Sequence, residues 1–438
     1  MVGEKELYEL TKKGVITTED GIRVIDASKL EGQAPRRLRP AQKSGREKAR
    51  HSEETNVAAK TSGTSSSSAP ESGERKTLLP EDLRKRETLN ERFTKEFEME
   101  EGDIPNGIGL DVGTSFLVAG RFDQHGNINF AKVRDCFLHI PFKTPINQKM
   151  IKRGLDDRQA PYIEQPDGFY ILGEDAFEMA NERHQNTRRP MSRGVLSPKE
   201  KEAFPILKEL ISMIIMEPRV PNERVVFSVP AKPIDAKFDQ LFHQDMIRSF
   251  VASKGFDPQP MNEAEALAYS ELLEEGLTGI AISFGGGMAN VVVMSSGDPV
   301  VAFSTARAGD WVDEQAAIAT DLPQSLIQQE KEGDTLDLMN PDPKSQIHQA
   351  IVVYYGNLLV YTLENIAHDL ANSPSLPKFK NPIPLVVGGG TSLPKGFIEK
   401  FNQALGTVNM PVEISQVRHA NDPLHSVCHG LTLAASME

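Results

Sequence analysis

The segment from Ile280 to Met294 constrains the fold more than any other part of the chain. An apolar run leads into Gly285, Gly286 and Gly287, and a second apolar run follows. The pattern predicts two buried strands joined by a tight turn. Because glycine adopts φ > 0 and carries no side chain, such a turn lets backbone N–H groups approach an anion closely.

A second segment of the same kind lies earlier in the chain, at residues 107–120. It holds Asp111 at the end of an apolar run, followed by the turn residues Gly113, Thr114 and Ser115. A carboxylate at that point can orient water on Mg²⁺, and the two hydroxyls can contact phosphate. Asp before Gly is by itself ordinary turn chemistry. Two such hairpins in one chain predict a phosphate held between two lobes.

Size and composition set the class of protein. A chain of 438 residues can bury a large core and is expected to form two lobes with tails. Two cysteines, no 18-residue apolar run and no apolar leader favour a cytoplasmic protein. The net charge of −13 argues against nucleic acid as a partner.

The N-terminal part differs in composition from the rest. Residues 1–80 are predicted to be a mostly disordered tail, with a helix at 6–13 and a strand at 22–25 as short exceptions. Residues 35–50 hold seven Lys or Arg against one Glu, and residues 61–68 are serine-rich. The basic segment is either a solvated linker or a docking site for an acidic partner or membrane surface. Apolar spacing predicts a helix over residues 81–102.

From residue 103 onward, strands alternate with helices, which predicts an α/β fold. Small subdomains are expected at about 141–195, with irregular short strands over 141–173, and at about 321–345. Strands are predicted at 129–133, 224–229, 259–261, 300–304, 383–388 and 412–415. Helices are predicted at 199–216, 234–253 and 346–371, after 262, after 308 and after 423.

Five motifs, taken in order, resemble the ATPase superfamily of actin and the seventy-kilodalton heat-shock chaperones. They are the two glycine hairpins, the helix start Asn262-Glu263-Ala264, the helix start Ala308-Gly309-Asp310, and the turn Gly388-Gly389-Gly390-Thr391. Within that superfamily, the chain is most similar to bacterial actin-like proteins of the MreB and MamK type. The resemblance covers roughly residues 103–438. It implies a two-lobed actin-like fold of duplicated ribonuclease H-like domains, with lobe I at 103–262, lobe II at 263–438 and the last helix returning to lobe I.

The resemblance also implies a function: binding of ATP or ADP with Mg²⁺ in the cleft between the lobes, and self-assembly into filaments. Asp111 would lie near Mg²⁺, through water, and Glu263 would position the attacking water. The implied nucleotide-binding residues are Gly113, Thr114, Ser115, Gly285, Gly286, Gly287, Gly309, Asp310, Gln328, Gln329, Lys331, Gly388, Gly389, Gly390 and Thr391.

The second hairpin departs from the family pattern at three positions. Ser283 stands where the family has Asp, Met288 replaces the Thr after the glycines, and Asn290 follows two residues later. Phosphoryl transfer depends on positioning and charge compensation, so loss of a carboxylate predicts slow or impaired hydrolysis. Binding of nucleotide is therefore better supported than its turnover.

Other functions stay open at this point. One is a monomeric chaperone-like or regulatory nucleotide-binding module, and another is a scaffold that no longer binds nucleotide. A sugar or acetate kinase lacks a recognisable acceptor site. His419, His425, Cys428 and His429 raise the alternative of a metal site, although their spacing fits no closed zinc pattern. Trp311 is expected to pack at a helix start.

Overall fold

A computed structural model of the chain describes residues 16–19, 22–25, 105–183, 185–237, 240–373 and 376–437. The chain divides into two units, Met1–Arg75 and Lys76–Glu438. In the first unit, β1 (Ile16–Glu19) pairs antiparallel with β2 (Ile22–Ile25), which confirms the strand predicted at 22–25. The predicted helices at 6–13 and 81–102, and the basic and serine-rich segments, lie outside the described residues.

The second unit alternates strands and helices. Its strands are β3 (Ile108–Val112), β4 (Phe116–Phe122), β5 (Ile128–Arg134), β6 (Phe137–Pro141), β7 (Tyr162–Gln165), β8 (Gly168–Leu172), β9 (Met191–Ser192), β10 (Val195–Leu196), β11 (Arg224–Val229), β12 (Asp257–Asn262), β13 (Gly279–Phe284), β14 (Ala289–Ser295), β15 (Asp298–Thr305), β16 (Ile383–Gly388) and β17 (Ile414–His419). Its helices are α1 (Pro145–Arg158), α2 (Gly173–Glu182), α3 (Ala203–Ile215), α4 (Gln240–Ser253), α5 (Glu263–Glu271), α6 (Gly309–Thr320), α7 (Gln324–Glu332), α8 (Gln346–Asn372), α9 (Phe397–Leu405) and α10 (Ser426–Ser436).

Two five-stranded sheets mark the two lobes. The sheet of lobe I has the order β12-β11-β3-β4-β5, and that of lobe II has the order β17-β16-β13-β14-β15. In each sheet the central strand is parallel to one neighbour and antiparallel to its hairpin partner. The outer pairs also match, β11–β12 and β16–β17 being parallel, and β4–β5 and β14–β15 antiparallel. The predicted two-lobed α/β fold with a duplicated sheet is confirmed.

Helices α5 and α10 join the two sheets. Buried residues of both helices form one apolar cluster with β11 of lobe I and with β13, β14 and β16 of lobe II. The helices cross so closely that a methyl group on Gly430 would overlap the carbonyl of Ala266. On its other side α10 contacts lobe I, where Cys428 Sγ lies 3.4 Å from Gly109 O. These contacts hold the inner ends of both hairpins against the same pair of helices.

Three local predictions are wrong. Residues 145–158 form a helix rather than irregular structure, because Thr144 caps it and Pro145 occupies its first turn. The apolar pattern of this helix is weak, because Leu155 is the one residue in it that is buried. The helix predicted from residue 234 begins at Gln240, because Ile234 N–H bonds to Ser304 O beside β15. The last strand runs from Ile414 to His419 rather than over 412–415, in register with β16.

Candidate functional site

The turns of the two glycine hairpins face each other across a cleft between the lobes. A Cβ placed on Gly287 would lie 2.5 Å from Thr114 Oγ1, and one on Gly286 would overlap Ser115 Oγ. The approach is possible only because neither glycine has a side chain. The structure therefore brings together the two turns that the sequence singled out separately.

The cleft has a volume of about 530 Å³. Most predicted site residues line it, namely Asp111, Gly113, Thr114, Ser115, Glu263, Gly285, Gly286, Gly287, Asp310, Gln328, Lys331, Gly389, Gly390 and Thr391. Three do not. Gly309 lies behind the second turn, Gly388 ends β16 against Leu267, and Gln329 is exposed on α7 away from the lining. Gln329, which the resemblance implies as a nucleotide-binding residue, thus lies outside the lining of the cleft.

Two carboxyl groups lie at the inner end of this cleft. Ser228 Oγ donates to Asp111 Oδ1 at 2.8 Å, and Glu263 follows the capping residue Asn262 in the first turn of α5. Burial raises the pKa of Asp111 to about 6, while Ser228 and His425 act to lower it. Burial and the neighbouring Asp111 raise the pKa of Glu263 to about 8, against the lowering effect of Ser283. The pair is therefore a place where a cation would be favoured electrostatically.

The residues that depart from the family pattern hold Glu263. Ser283 Oγ donates to its Oε1 at 2.6 Å, and Asn290 Nδ2 donates to its Oε2 at 2.7 Å. Ser283 and Asn290 are opposite each other in the β13–β14 ladder, and Asn290 Oδ1 accepts from Ala231 N–H at 3.0 Å. Both oxygens of the carboxyl group thus accept hydrogen bonds from one hairpin. The sequence indicated only that Ser283 and Asn290 depart from the family pattern, and it did not indicate that both bond to Glu263.

A third turn, which the sequence analysis missed, contacts both hairpins. Strands β9 and β10 are joined by Arg193 and Gly194, both with positive φ, as in a type I′ turn. Gly194 N–H donates to Thr114 Oγ1 at 3.0 Å, and a Cβ on Gly194 would lie 2.7 Å from Met288 Sδ. Met288 is buried beneath this turn. The sequence does contain a signal for this turn, the pair Arg193-Gly194 between short segments that hold the apolar residues Met191 and Val195.

The glycine turn at residues 388–390 forms the other end of the cleft. Thr391 Oγ1 donates to Gly285 O at 2.8 Å, which joins this turn to the second hairpin. Gly389 has φ of 85° and donates to Pro423 O at 2.7 Å. Lys331 Nζ donates to Gly309 O and to Asp313 Oδ2, at 3.0 and 2.7 Å. Burial raises the pKa of Asp313 to about 6, and Lys331 lowers it.

Asp310 has a side-chain partner that the sequence did not indicate. Arg189 Nη1 donates to Asp310 Oδ1 and Oδ2 at 2.9 and 3.0 Å, and Arg189 Nη2 donates to Gln328 Oε1 at 3.2 Å. Two residues that the resemblance places in the nucleotide site are therefore held by a guanidinium group of lobe I.

The C-terminal histidines do not converge on a metal site. Within the described part of the chain, no group of three His, Cys, Asp or Glu side chains could hold a metal ion. His419 contacts Ser392 O, His429 contacts Ser270 Oγ, and the Cys428 thiol lies in the helix–sheet interface. Trp311 packs edge-on against Tyr354, as expected for a residue at a helix start.

The fold and the cleft define the class of protein. Two solved structures share the fold over most of their length. A MamK double helical filament is 18% identical, with a TM-score of 0.56, covering 76% of this chain and 99% of that one. MreB 5 of Spiroplasma citri bound to AMPPNP is 19% identical, with a TM-score of 0.53, covering 75% of this chain and 95% of that one. The chain thus has the actin-like ATPase fold.

The family follows from the sequence itself. The model of the Volactin family matches residues 107–435, about three quarters of the chain, and the chain belongs to that family. No curated protein is significantly similar to it in sequence. None of the helices in the described residues is long and apolar enough to span a membrane.

Proposed function

We propose that this protein binds ATP or ADP with Mg²⁺ in the cleft between its lobes, assembles into filaments and hydrolyses ATP slowly. The apposition of the two glycine turns carries the proposal, because Gly286 and Gly287 lie directly against Ser115 and Thr114. Turns that close expose backbone N–H groups and hydroxyl groups of two lobes to one anion. The chain is proposed to act in the cytoplasm.

The residues present fit a nucleotide and its metal. Residues 113–115 would hold the β-phosphate and residues 285–287 the γ-phosphate, since added side chains would fill the space between these turns. Asp111 would hold Mg²⁺ through water, and the ion would compensate the charge of the phosphates. Lys331, Gly389 and Gly390 would line the ribose and the base, with Gly388 behind them at the end of β16. Gly309 would support this end of the site from behind.

Slow hydrolysis follows from the contacts of Glu263. A carboxylate that positions water must present an oxygen to that water. Here Ser283 and Asn290 each take one acceptor position of the carboxyl group, and burial together with Asp111 raises the pKa of Glu263 to about 8, which favours its protonated form near neutral pH. The absence of a carboxylate at Ser283 removes one more group that could orient water on the metal. Nucleotide binding does not depend on either feature.

Filament assembly is supported by the kind of protein that shares the fold. The MamK structure is described as a double helical filament, and the MreB 5 structure contains AMPPNP, an ATP analogue. The basic segment at 35–50 is proposed to bind an acidic partner or a membrane surface, and this electrostatic binding would weaken as the salt concentration rises.

Titration calorimetry of the full chain with ATP tests the binding proposal. We expect saturable binding that is tighter with Mg²⁺ than with EDTA, and an Asp111→Asn variant that loses most of this difference. If the wild-type protein shows no detectable binding in either buffer, the binding proposal is wrong, and the alternative of a scaffold that does not bind nucleotide is favoured.

Sedimentation and negative-stain microscopy test assembly. With ATP and Mg²⁺ we expect pelleted protein and visible filaments. Binding without polymer, over a range of salt and protein concentrations, would instead favour a monomeric nucleotide-binding module.

A further inference from the structure

Arg189 connects the two lobes at the back of the cleft. It follows Arg188, whose backbone forms a bridge with Phe137 at the start of β6. Its guanidinium group reaches lobe II, where it holds both carboxylate oxygens of Asp310 and the amide oxygen of Gln328. Nη1 bonds both oxygens of Asp310 and Nη2 bonds Gln328, and the side chains of Arg189 and Asp310 are 24% and 32% exposed, so this charge-assisted contact is partly buried.

The same guanidinium group has a second acidic neighbour in lobe I. Asp135 is fully buried, and burial raises its pKa well above the ordinary value, while Arg189 is the main group that lowers it. Burial alone would lower the pKa of Arg189, but Asp310 and Asp135 raise it above its ordinary value. Arg189 thus bonds to a carboxylate of lobe II and acts on Asp135 of lobe I through its charge, without a hydrogen bond.

Both carboxyl-bearing residues are bonded to the glycine hairpins through their backbones. Asp310 N–H donates to Gly286 O at 2.7 Å, and Asp135 N–H donates to Ser115 O at 2.9 Å. Gly286 and Ser115 are the residues at which the two turns meet. Bonded contacts therefore lead from the second turn through Asp310 to Arg189, while Asp135 on the first turn interacts with Arg189 only electrostatically.

We propose that Arg189 is a positioning residue of the cleft, which clasps lobe II through Asp310 and Gln328 and thereby controls release of the bound nucleotide. The proposal rests on nucleotide binding in this cleft. A ligand enclosed by both turns leaves only when they separate, and their separation requires the Arg189–Asp310 contact to break. The other ion pair at this edge, Arg134–Glu332, is looser, with 3.7 Å between Nη1 and Oε2.

Lysine tests the geometry of the clasp without removing its charge. Arg189→Lys keeps a cation beside Asp135, which protects folding, but an ammonium group lacks the planar fork that contacts two acceptors at once. Asp310→Asn removes the charge on the other side. Arg188→Lys is the matched control, because the neighbouring arginine pairs with Glu200 and Glu202 in its own lobe.

The first measurement is the dissociation rate of N-methylanthraniloyl-ATP, by stopped-flow fluorescence on the full chain. We expect Arg189→Lys and Asp310→Asn each to release it about 10-fold faster, the typical scale for losing one hydrogen-bonded contact between charged groups. The double variant should be no faster than the faster single variant, since both changes break one contact. Arg188→Lys should match the wild type. Additive effects, or equal rates in all variants, would overturn the proposal.

The second measurement does not need nucleotide. Spin labels at Glu178→Cys and Ser325→Cys lie at exposed positions of α2 and α7, and both native cysteines are buried. In nucleotide-free protein we expect Arg189→Lys to broaden the interlabel distance distribution toward longer distances. Faster release with an unchanged distribution would overturn the clasp. If the wild type binds no nucleotide, the proposed function fails, and the distance measurement still decides whether Arg189 holds the lobes together.

Discussion

The two glycine hairpins occupy equivalent places in two matching sheets, yet they bring different chemistry to the cleft. Two residues before the first glycine of its turn, the first hairpin has Asp111 and the second has Ser283. Opposite these residues, the partner strands carry Val118 and Asn290. One hairpin thus contributes a carboxylate group, and the other contributes a hydroxyl and an amide.

The difference follows from where the two hairpins meet. Asp111 and Glu263 are already two partly buried carboxyl groups, and the charge of Asp111 helps to raise the pKa of Glu263. A third carboxylate from the second hairpin would add like charge to the same space. Ser283 instead donates a hydrogen bond to Glu263. A duplicated scaffold need not duplicate its charges, because the charges of both copies share one buried site.

The variant Ser283→Asp gives both hairpins a carboxylate at the same position and so tests directly why they differ. The change replaces a donor by a carboxylate next to Glu263, and an uncompensated buried charge costs about 3–5 kcal/mol. We therefore expect the free energy of unfolding, from urea denaturation with EDTA present, to fall by that order.

A paired variant separates charge repulsion from loss of packing. Ser283→Asp combined with Glu263→Gln should recover most of the lost stability, because the amide can donate to the new carboxylate. ATP with Mg²⁺ should also restore part of it in the single variant. If the double variant is as unstable as the single one, like charge is not the reason for serine at this position.

The pH dependence of stability sharpens the comparison further. The pKa of Glu263 is raised to about 8 in the folded protein from 4.5, so the folded state holds its proton more tightly. Its contribution to stability is fully present below pH 4.5 and is lost as the pH rises through 8. Relative to Glu263→Gln, the metal-free wild type should lose on the order of 2–4 kcal/mol between pH 5 and 8.5.

The measurement is urea denaturation of both proteins in EDTA at several pH values. The difference between the two curves isolates Glu263 from other titrating groups. Asp111→Asn is a further check, since removal of its charge should shift the loss to lower pH only if the wild-type shift of Glu263 depends on that neighbour. Parallel curves for wild type and Glu263→Gln would mean that neither burial nor Asp111 raises the pKa of Glu263 in the folded protein.

Much of the fold was predictable because its signals are local. The glycine turns and their apolar flanks define both hairpins, and the cap Asn262 with Glu263 marks the start of α5. Helix α1 was missed because its apolar face is short, although Thr144 and Pro145 mark its beginning. The strongest patterns therefore gave the central elements, and the weaker ones gave the small subdomain poorly.

The contacts within the site were less predictable because they join distant parts of the chain. Asp310 was expected to bind nucleotide, but the sequence did not indicate its partner Arg189, which lies 121 residues earlier. Ser283 and Asn290 were noted as losses, although both bond to Glu263, which is 20 and 27 residues away. Motif matching names the residues of a cleft; which of them bond to each other depends on how the two lobes close.

The last test compares the glycines of the two turns. A methyl group on Gly287 would lie 3.0 Å from backbone atoms of Arg193 as well as near Thr114, whereas one on Gly113 meets Phe116 O of its own hairpin. Overpacking costs about 1–3 kcal/mol, so Gly287→Ala should weaken ATP binding about 10- to 100-fold in calorimetry. Gly113→Ala should mainly lower the melting temperature of the nucleotide-free protein, because its clash is within one strand pair. Gly154→Ala, with open space around it, is the control. Unchanged affinity in Gly287→Ala would show that the turns do not stay apposed around the ligand.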